Sequence, residues 1–508
     1  MRFVVNKLKL LKPLSASCLN FGTKKGVYSV TTGIITNARP EVVKDEPRKT
    51  KETFRLPFEI IKNGRLHLHF HECNKFNGKF TKFKVLNKNF IALNSLQDVE
   101  SVFNSKNGAE GRLSPFFQDY VLNNDGFAFQ DFTKVCQQQK QVVRAALTYH
   151  IKTHNVLVKE EISKTLDKIS VCSHEIFDSD IYIRNFLTNV FTRLLIGETL
   201  PEDHPDRNAL WDLIHLLYQL MDPSIDTPLR NLPFLRFLPI KHGRLFRDAI
   251  KTRDRVSRLY FDSQKESYKD GEIRGLVDVC LKIQSNESWL TDDKIKGLMY
   301  DTVIAGMSEM MKSIRMLVLL MCHYQDTQSR VHAEIDEVIG SRNDVTATDK
   351  DKMPYTVAVI MEMLRYVSQT PLAIPHKCNN DVMLDGYVIE KNSGIFPNIW
   401  SIHHDDDVWG DPWCFRPDRF LTDEGSLLPS DHKHRRTLIP FSVGRRRCPG
   451  EDFAMSGLFI VFTKMLQKVQ FLPPKNEDLP SVDPRDYNNK YPLYLPVFKC
   501  RVVPRDES

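Results

Sequence analysis

Nowhere in its 508 residues does the chain hold the roughly 20 consecutive apolar residues that a bilayer-crossing helix needs, so no transmembrane anchor is expected. Its ten cysteines, from Cys18 to Cys500, form no C-x-x-C pair, no Cys/His spacing of a zinc site and no dense disulfide framework. A zinc module and a small secreted scaffold are thereby excluded, and a reducing compartment is the simpler expectation. Glycine patterns of the Rossmann or Walker kind are missing, as are internal repeats and low-complexity linkers, which leaves no sign of a second, nucleotide-binding domain. Basic patches interleaved with aromatics are also lacking, and the net charge of +7 comes largely from the first forty residues. Binding to nucleic acid is not expected. What remains, 41% hydrophobic and 27% charged residues, is the make-up of a folded protein with a large core.

Acid is absent before Glu41, while Arg2, Lys7, Lys9, Lys12, Lys24, Lys25 and Arg39 stand among many Ser and Thr. This resembles an organelle transit peptide and favours the mitochondrion. The alternative is a basic arm that lies on an anionic membrane. Residues 1–51 are therefore expected to be a targeting or membrane-associating segment, and residues 52–508 a single domain.

Phe70 to Val99 is rich in Phe, Val and Ile, and Asn77-Gly78 supplies a hairpin signal, so a small sheet is expected there. From about Val142 to Asp270 apolar residues recur at three and four, as in Phe186, Val190, Leu194 and Leu195, which predicts amphipathic helices. Pro223, Pro228, Pro233 and Pro239 are expected to break this run into a loop with an apolar stretch at Phe234 to Leu238. Thr291-Asp292-Asp293 caps a long central helix that runs to about Cys322. Further helices are predicted from Tyr324 to Ile339, from Pro354 to Val367 and from Glu451 to Leu466, with a hairpin at Asp385-Gly386. The fold class is mainly α with small β-sheets.

The loop PFSVGRRRCPGEDFA, Pro440 to Ala454, sets Cys448 beside Arg446 and Arg447 at the start of the last helix. Cations and a helix N-terminus both favour a thiolate, so Cys448 is expected to have a lowered pKa. Gly444 and Gly450 let the backbone turn and approach a flat ligand, and Pro449 suits the first turn of that helix. Phe441, Gly444, Arg446, Cys448 and Gly450 reproduce the F-x-x-G-x-R-x-C-x-G signature, and on these residues the chain resembles the cytochrome P-450 family. The resemblance implies haem b between the central helix and the helix after the cysteine loop, with Cys448 as its axial thiolate ligand.

Other residues match in order and approximate distance, from about Leu56 onward. Glu362 and Arg365, three apart on one helix face, with Arg419 in FRPDRF, resemble the family's structural Glu-Arg-Arg network. His376 and Arg446 are similar to its haem-propionate partners. SIHHDDDVWGDP and FRPDRFL are similar to the animal branch of drug- and steroid-oxidising members. Two departures stand out. In the central helix the family reads A-G-x-acid-Thr, whereas this chain reads Ala305-Gly306-Met307-Ser308-Glu309, with acid and hydroxyl in swapped order. Either they still relay protons to dioxygen, since reach matters more than identity, or oxygen activation is weakened. Where the family has W-x-x-x-R, Cys136 and Lys140 stand, and lysine keeps the charge without the guanidinium fork.

The resemblance thus implies a monooxygenase that inserts one oxygen atom from dioxygen into an apolar substrate of steroid, fatty-acid or xenobiotic class. Ser308, Glu309 and Ala305 are the catalytic candidates. The electron donor would be a ferredoxin in a mitochondrion or an NADPH-dependent flavoprotein reductase on the endoplasmic reticulum, with peripheral membrane association in both. The alternatives are a haem-thiolate isomerase or lyase acting on peroxides without external electrons, and a haem protein with little turnover.

Overall fold

The computed structural model describes residues 54–505 apart from 57–63, 78–79, 86–87, 106–107, 153–155, 172–175, 343–344, 488–492 and 494. The basic segment up to Lys51 lies outside the described residues. The central helix, Asp292–His323, begins where the sequence places it, because the Thr291 side chain accepts from the Lys294 N–H. From Leu298 to Cys322 it is buried over most of its surface, as expected of a helix that is apolar nearly all round. Around it pack the helices Lys134–Lys152, Ser179–Ile196, Pro354–Val367 and Glu451–Lys468, which share one apolar core with it. Pro354 opens its helix at the first position, where the missing N–H costs no hydrogen bond.

A six-stranded sheet runs in the order Phe54–Arg55, Phe80–Val85, Lys88–Leu93, Gly394–Pro397, His376–Lys377, Gly111–Arg112. Its last two strands are antiparallel and set Arg112 directly opposite His376. The hairpin of Val382–Leu384 with Tyr387–Ile389 turns at Asp385 and Gly386, both at positive φ.

Two local expectations fail. Asn77 ends the helix Leu66–Asn77 and is not part of a hairpin, and the antiparallel pair is instead Phe80–Val85 with Lys88–Leu93; Gly78 lies outside the described residues. Tertiary packing wins over the turn signal there: Phe70 of that helix is fully buried against Phe83 and Phe396. The prolines from 223 to 233 do not make an open loop. Pro223 starts the helix Pro223–Asn231, capped by the Asp222 carboxylate, and Pro233 starts the turn Pro233–Phe237. Proline is tolerated at helix starts, so a proline-rich stretch is compatible with short helices.

Glu362 lies fully buried between two guanidinium groups. Arg365 donates to it at 2.7 and 2.8 Å and Arg419 at 3.0 Å, and all three side chains are shielded from solvent. Arg365 also donates to the His403 carbonyl at 2.8 Å, and His403 Nε2 accepts the Ile439 N–H at 2.9 Å. The ion cluster is thereby tied to the strand of chain that leads into the cysteine loop.

Glu362→Gln, which leaves two buried cations without their counter-ion, is expected to cost about 3–5 kcal/mol of stability, read as a lowered thermal midpoint; an unchanged midpoint would contradict the account. A second expectation concerns acid. Burial pushes His67 and His403 down to about 3 and His71 to about 4. Below the unfolded value of 6.5 the unfolded chain binds protons that the fold refuses. Each imidazole therefore removes about 1.4 kcal/mol of stability per pH unit from 6.5 down to its folded value, and adds full stability above 6.5. Unfolding midpoints measured between pH 7.5 and 4.5 should fall steeply below 6.5, and a flat profile would refute this.

Candidate active site

A cavity of about 350 Å³ lies between the central helix and the cysteine loop. Its volume falls within the roughly 300–1,000 Å³ of small-molecule sites. Its wall includes Cys448, Arg446, Phe441 and Gly450 from the loop, Ala305, Ser308 and Glu309 from the central helix, and Lys140, His376 and Arg112. Of the residues expected to act on a cofactor or substrate, all line it except Gly444, which shapes the loop from behind.

The loop is built around two backbone turns. Ser442 and Gly444 have φ of 61° and 74°, and a Cβ on Gly444 would stand 2.7 Å from the Phe103 carbonyl oxygen, so a side chain is excluded there. The Cys448 N–H donates to the Phe441 carbonyl at 3.0 Å, which turns the sulfur into the cavity. A Cβ on Gly450 would lie 3.9 Å from that sulfur, in the space a flat ligand on the thiol would use. The following helix starts at Glu451 with Gly450 as its cap, so Pro449 precedes the helix rather than forming its first turn.

The expected lowering of the Cys448 pKa is not found. Enclosure raises it, against the smaller opposing effects of the Gly450 N–H and Lys140. Both arginines are already paired elsewhere. Arg447 forms an ion pair with Glu451, and Arg446 donates to the Phe127 and Ala128 carbonyls, each at 3.0 Å, and to Cys136 Sγ at 3.1 Å. Desolvation therefore outweighs the loop's positive charge, and a bonded cation is what would turn this thiol into a thiolate.

The remaining candidates are less free than their sequence pattern implies. Lys140 donates to the Arg445 carbonyl at 2.7 Å, and burial beside Arg446 pushes it down to about 8. His376 is fully buried, stacks on Phe103 at 4.0 Å and has Nδ1 2.5 Å from the Ala109 carbonyl oxygen. Burial holds it well below its ordinary range. With Nδ1–H directed to that carbonyl, Nε2 carries a lone pair and would donate to a carboxylate only after taking up a proton. Ser308 accepts from the Tyr218 hydroxyl at 2.6 Å and donates to the Ile304 carbonyl at 2.5 Å. Glu309 accepts from Lys312 Nζ at 2.6 Å and from the Thr370 hydroxyl at 3.2 Å.

Four participants escaped the sequence reading. Arg112 joins the wall through its strand pairing with His376, a long-range register that no local pattern encodes. Tyr218 reaches the site from a separate helix, Ala209–Met221. Lys312 stands three residues after Glu309, and this spacing alone was a readable sign of a pair. Asp301, one turn before Ala305, accepts the Ala128 N–H at 2.8 Å, and burial pushes it up to about 6.

Taken together the wall suits haem b. It offers one thiol open to the cavity, three cationic side chains for acidic edges, and Phe441, Leu147, Leu364 and Phe453 for an apolar macrocycle. The family profile described as Cytochrome P-450 matches residues 50–495. A farnesoate epoxidase of Bombyx mori is 28% identical over 431 residues, 83% of this chain and 85% of the relative. Cytochrome P-450 2J2 of Homo sapiens is 31% identical over 373 residues, 71% and 72% of the two chains. A steroid 17-alpha-hydroxylase/17,20 lyase of Gallus gallus is 27% identical over 431 residues, 82% of each. The chain belongs to the cytochrome P-450 family of oxidoreductases, which bind haem b through a cysteine thiolate, here Cys448.

Proposed function

We propose that this protein is a monooxygenase of apolar small molecules, steroid, fatty acid or xenobiotic in class, and that Glu309 handles its protons while Ser308 orders the neighbouring Tyr218 hydroxyl. The observation that carries this reading is the single cavity shared by Cys448, the Ser308 and Glu309 side chains and a largely apolar wall. Bound haem b supplies the oxygen chemistry, in which two electrons and two protons reduce dioxygen so that one oxygen atom enters the substrate and the other leaves as water.

The chain's own part is to position, exclude water and move protons. Phe117, Phe129, Phe191, Ile304 and Ile374 line the wall and would desolvate an apolar substrate. Glu309 faces the cavity with Lys312 behind it. Burial lowers the Lys312 pKa, which makes its ammonium a better acid toward the carboxylate it already touches. Thr370 adds a hydroxyl at the other carboxylate oxygen. Ser308, whose proton is directed to the Ile304 carbonyl, positions Tyr218 rather than delivering a proton itself. Arg446, Lys140 and, once protonated, His376 would hold the haem carboxylates, and Ala305 would leave room above the ring.

No described helix is long and apolar enough to cross a membrane. Contact with a membrane surface is supported by exposed Leu232, Phe234, Phe237, Leu238 and Ile240, flanked by exposed Lys241 and Arg244. The likeness to cytochrome P-450 2J2 and to a steroid 17-alpha-hydroxylase/17,20 lyase favours the endoplasmic reticulum over the mitochondrion, and with it a flavoprotein reductase as electron donor. A second reading, rearrangement of a hydroperoxide without electrons, draws support from the reversed Ser308-Glu309 order and the Lys312 pair that neutralises the acid.

Glu309→Ala is expected to slow donor-dependent turnover by roughly a hundredfold with haem content unchanged. Equal turnover would remove Glu309 from the reaction, and product from a fatty-acid hydroperoxide without any reductant would favour the second reading. Phe234→Ser with Phe237→Ser is expected to weaken binding of the full chain to phosphatidylcholine–phosphatidylserine vesicles by about tenfold or more. Unchanged co-sedimentation would dismiss the patch.

A further inference from the structure

A second groove, of about 340 Å³, opens on the surface of the helix Lys241–Ser257 and is lined by Phe246, Arg247, Ile250, Lys251, Asp254 and Arg258. These residues fall three or four apart, so they share one face of the helix and of the turn that continues it at Arg258. Phe246 and Ile250 are half-buried and form the apolar part of the groove, whereas Arg247, Lys251 and Arg258 are exposed.

The charge there is unbalanced. Asp254 accepts from Arg253 Nε at 2.9 Å, so the one acid of the groove is already matched by a cation outside it. Arg247 donates to the Leu238 carbonyl at 3.2 Å and to the Arg236 carbonyl at 3.5 Å, and it has no carboxylate partner among the described residues. The Lys251 and Arg258 side chains make no hydrogen bond or ion pair among the described residues. Three like charges along one helix face repel one another, and an anion in the groove would relieve that repulsion.

The groove begins where the exposed apolar segment 232–240 ends. The Arg236 guanidinium stands 4.7 Å from the Phe237 ring and 6.0 Å from the Phe246 ring, and so spans the boundary between patch and groove. An occupant that satisfies both has an anionic head and an apolar body. A phosphate monoester suits the head, because it carries a charge of about −1.5 to −2 and three acceptor oxygens, and guanidinium forks bind such oxygens well. Free phosphate would engage the cations and leave Phe246 and Ile250 uncovered, whereas a lipid covers both.

We propose that this groove binds the phosphate monoester headgroup of a membrane lipid of the phosphatidic acid kind, with Lys251 and Arg258 as headgroup contacts. It rests on the reading of segment 232–240 as the membrane contact and adds a headgroup preference to it.

The test is co-sedimentation of the full-length haem-loaded protein with three kinds of vesicle. One is phosphatidylcholine alone, and the others add about 10% phosphatidic acid or about 20% phosphatidylserine, which gives them similar surface charge. Wild type is expected to bind the phosphatidic acid vesicles about fivefold tighter than the phosphatidylserine vesicles. Lys251→Gln with Arg258→Gln is expected to bring the two within about twofold. Lys241→Gln with Arg244→Gln removes two exposed cations beyond the groove and is expected to keep the difference. Absence of a preference in wild type overturns the proposal, as does a preference retained without Lys251 and Arg258, or one lost equally without Lys241 and Arg244. Binding to phosphatidylcholine alone would in those cases leave the membrane contact standing. Failure of wild type to bind any vesicle overturns that contact and the proposal with it. Release from phosphatidic acid vesicles by glycerol 3-phosphate, beyond that given by potassium chloride of equal ionic strength, would assign the groove to soluble phosphate monoesters and overturn the lipid assignment. Glutamine is a good helix former at exposed positions, so the thermal midpoint of the Lys251 and Arg258 variant should be unchanged; a fall of several degrees would mark the two cations as structural and refute the proposal.

Discussion

One carboxylate shared by two guanidinium groups governs much of this molecule. Glu362 is fully buried and would be prohibitively costly to desolvate alone, yet it accepts from Arg365, Arg419 and the Arg416 N–H. The arginines spend their other donors on the His403, Trp409 and Cys414 carbonyls. Such a cluster adds little net stability over an apolar core of equal volume, and its value lies in the single arrangement that satisfies every donor. From Arg365 the constraint passes through His403 to Ile439, and from Phe441 to Cys448. The sulfur is placed by hydrogen bonds whose anchor is an ion cluster on another helix.

The cavity divides its polarity. Cationic Arg112, Lys140 and Arg446 stand on the wall with Cys448, while the central helix contributes a carboxylate neutralised by its own lysine. Reversing the usual order of acid and hydroxyl has a geometric result. At position 309 the carboxylate lies one turn from Lys312 and within reach of Thr370, whereas the hydroxyl at 308 turns toward Tyr218. The swap thus links the acid to the helix's later turn and the hydroxyl to a neighbouring helix.

What could be read from the sequence was what depends on neighbours along the chain. Thr291 and Pro354 mark helix starts through groups within a few residues, and Asp385-Gly386 marks a turn by its own backbone preferences. The cysteine loop and the Glu362, Arg365 and Arg419 positions were legible because their pattern resembles a family. The misreadings share the opposite cause. Asn77 carries a turn signal that burial of Phe70 overrides, and Cys448 sits among arginines whose charge is spent on Glu451 and on backbone carbonyls. Arg112 and Tyr218 have ordinary local contexts and acquire meaning only where distant segments meet. Lys312 was the exception, since its spacing from Glu309 was visible.

Arg112 and His376 face each other across one rung of the sheet, and this pairing has a bearing on how the protein tolerates insertions. Side chains on a strand alternate between faces, so a slip of one residue in either segment would turn its cavity-facing group to the opposite side. The rung is only two residues long on each strand, too short to resist such a slip by its own hydrogen bonds. Length changes in the hairpin turn at Asp385 and Gly386, which lies beyond the rung, would be absorbed at the surface. A single added residue between Gly111 and Leu113, or between Pro375 and Lys377, would instead remove a basic group from the cofactor's surroundings while leaving every helix in place.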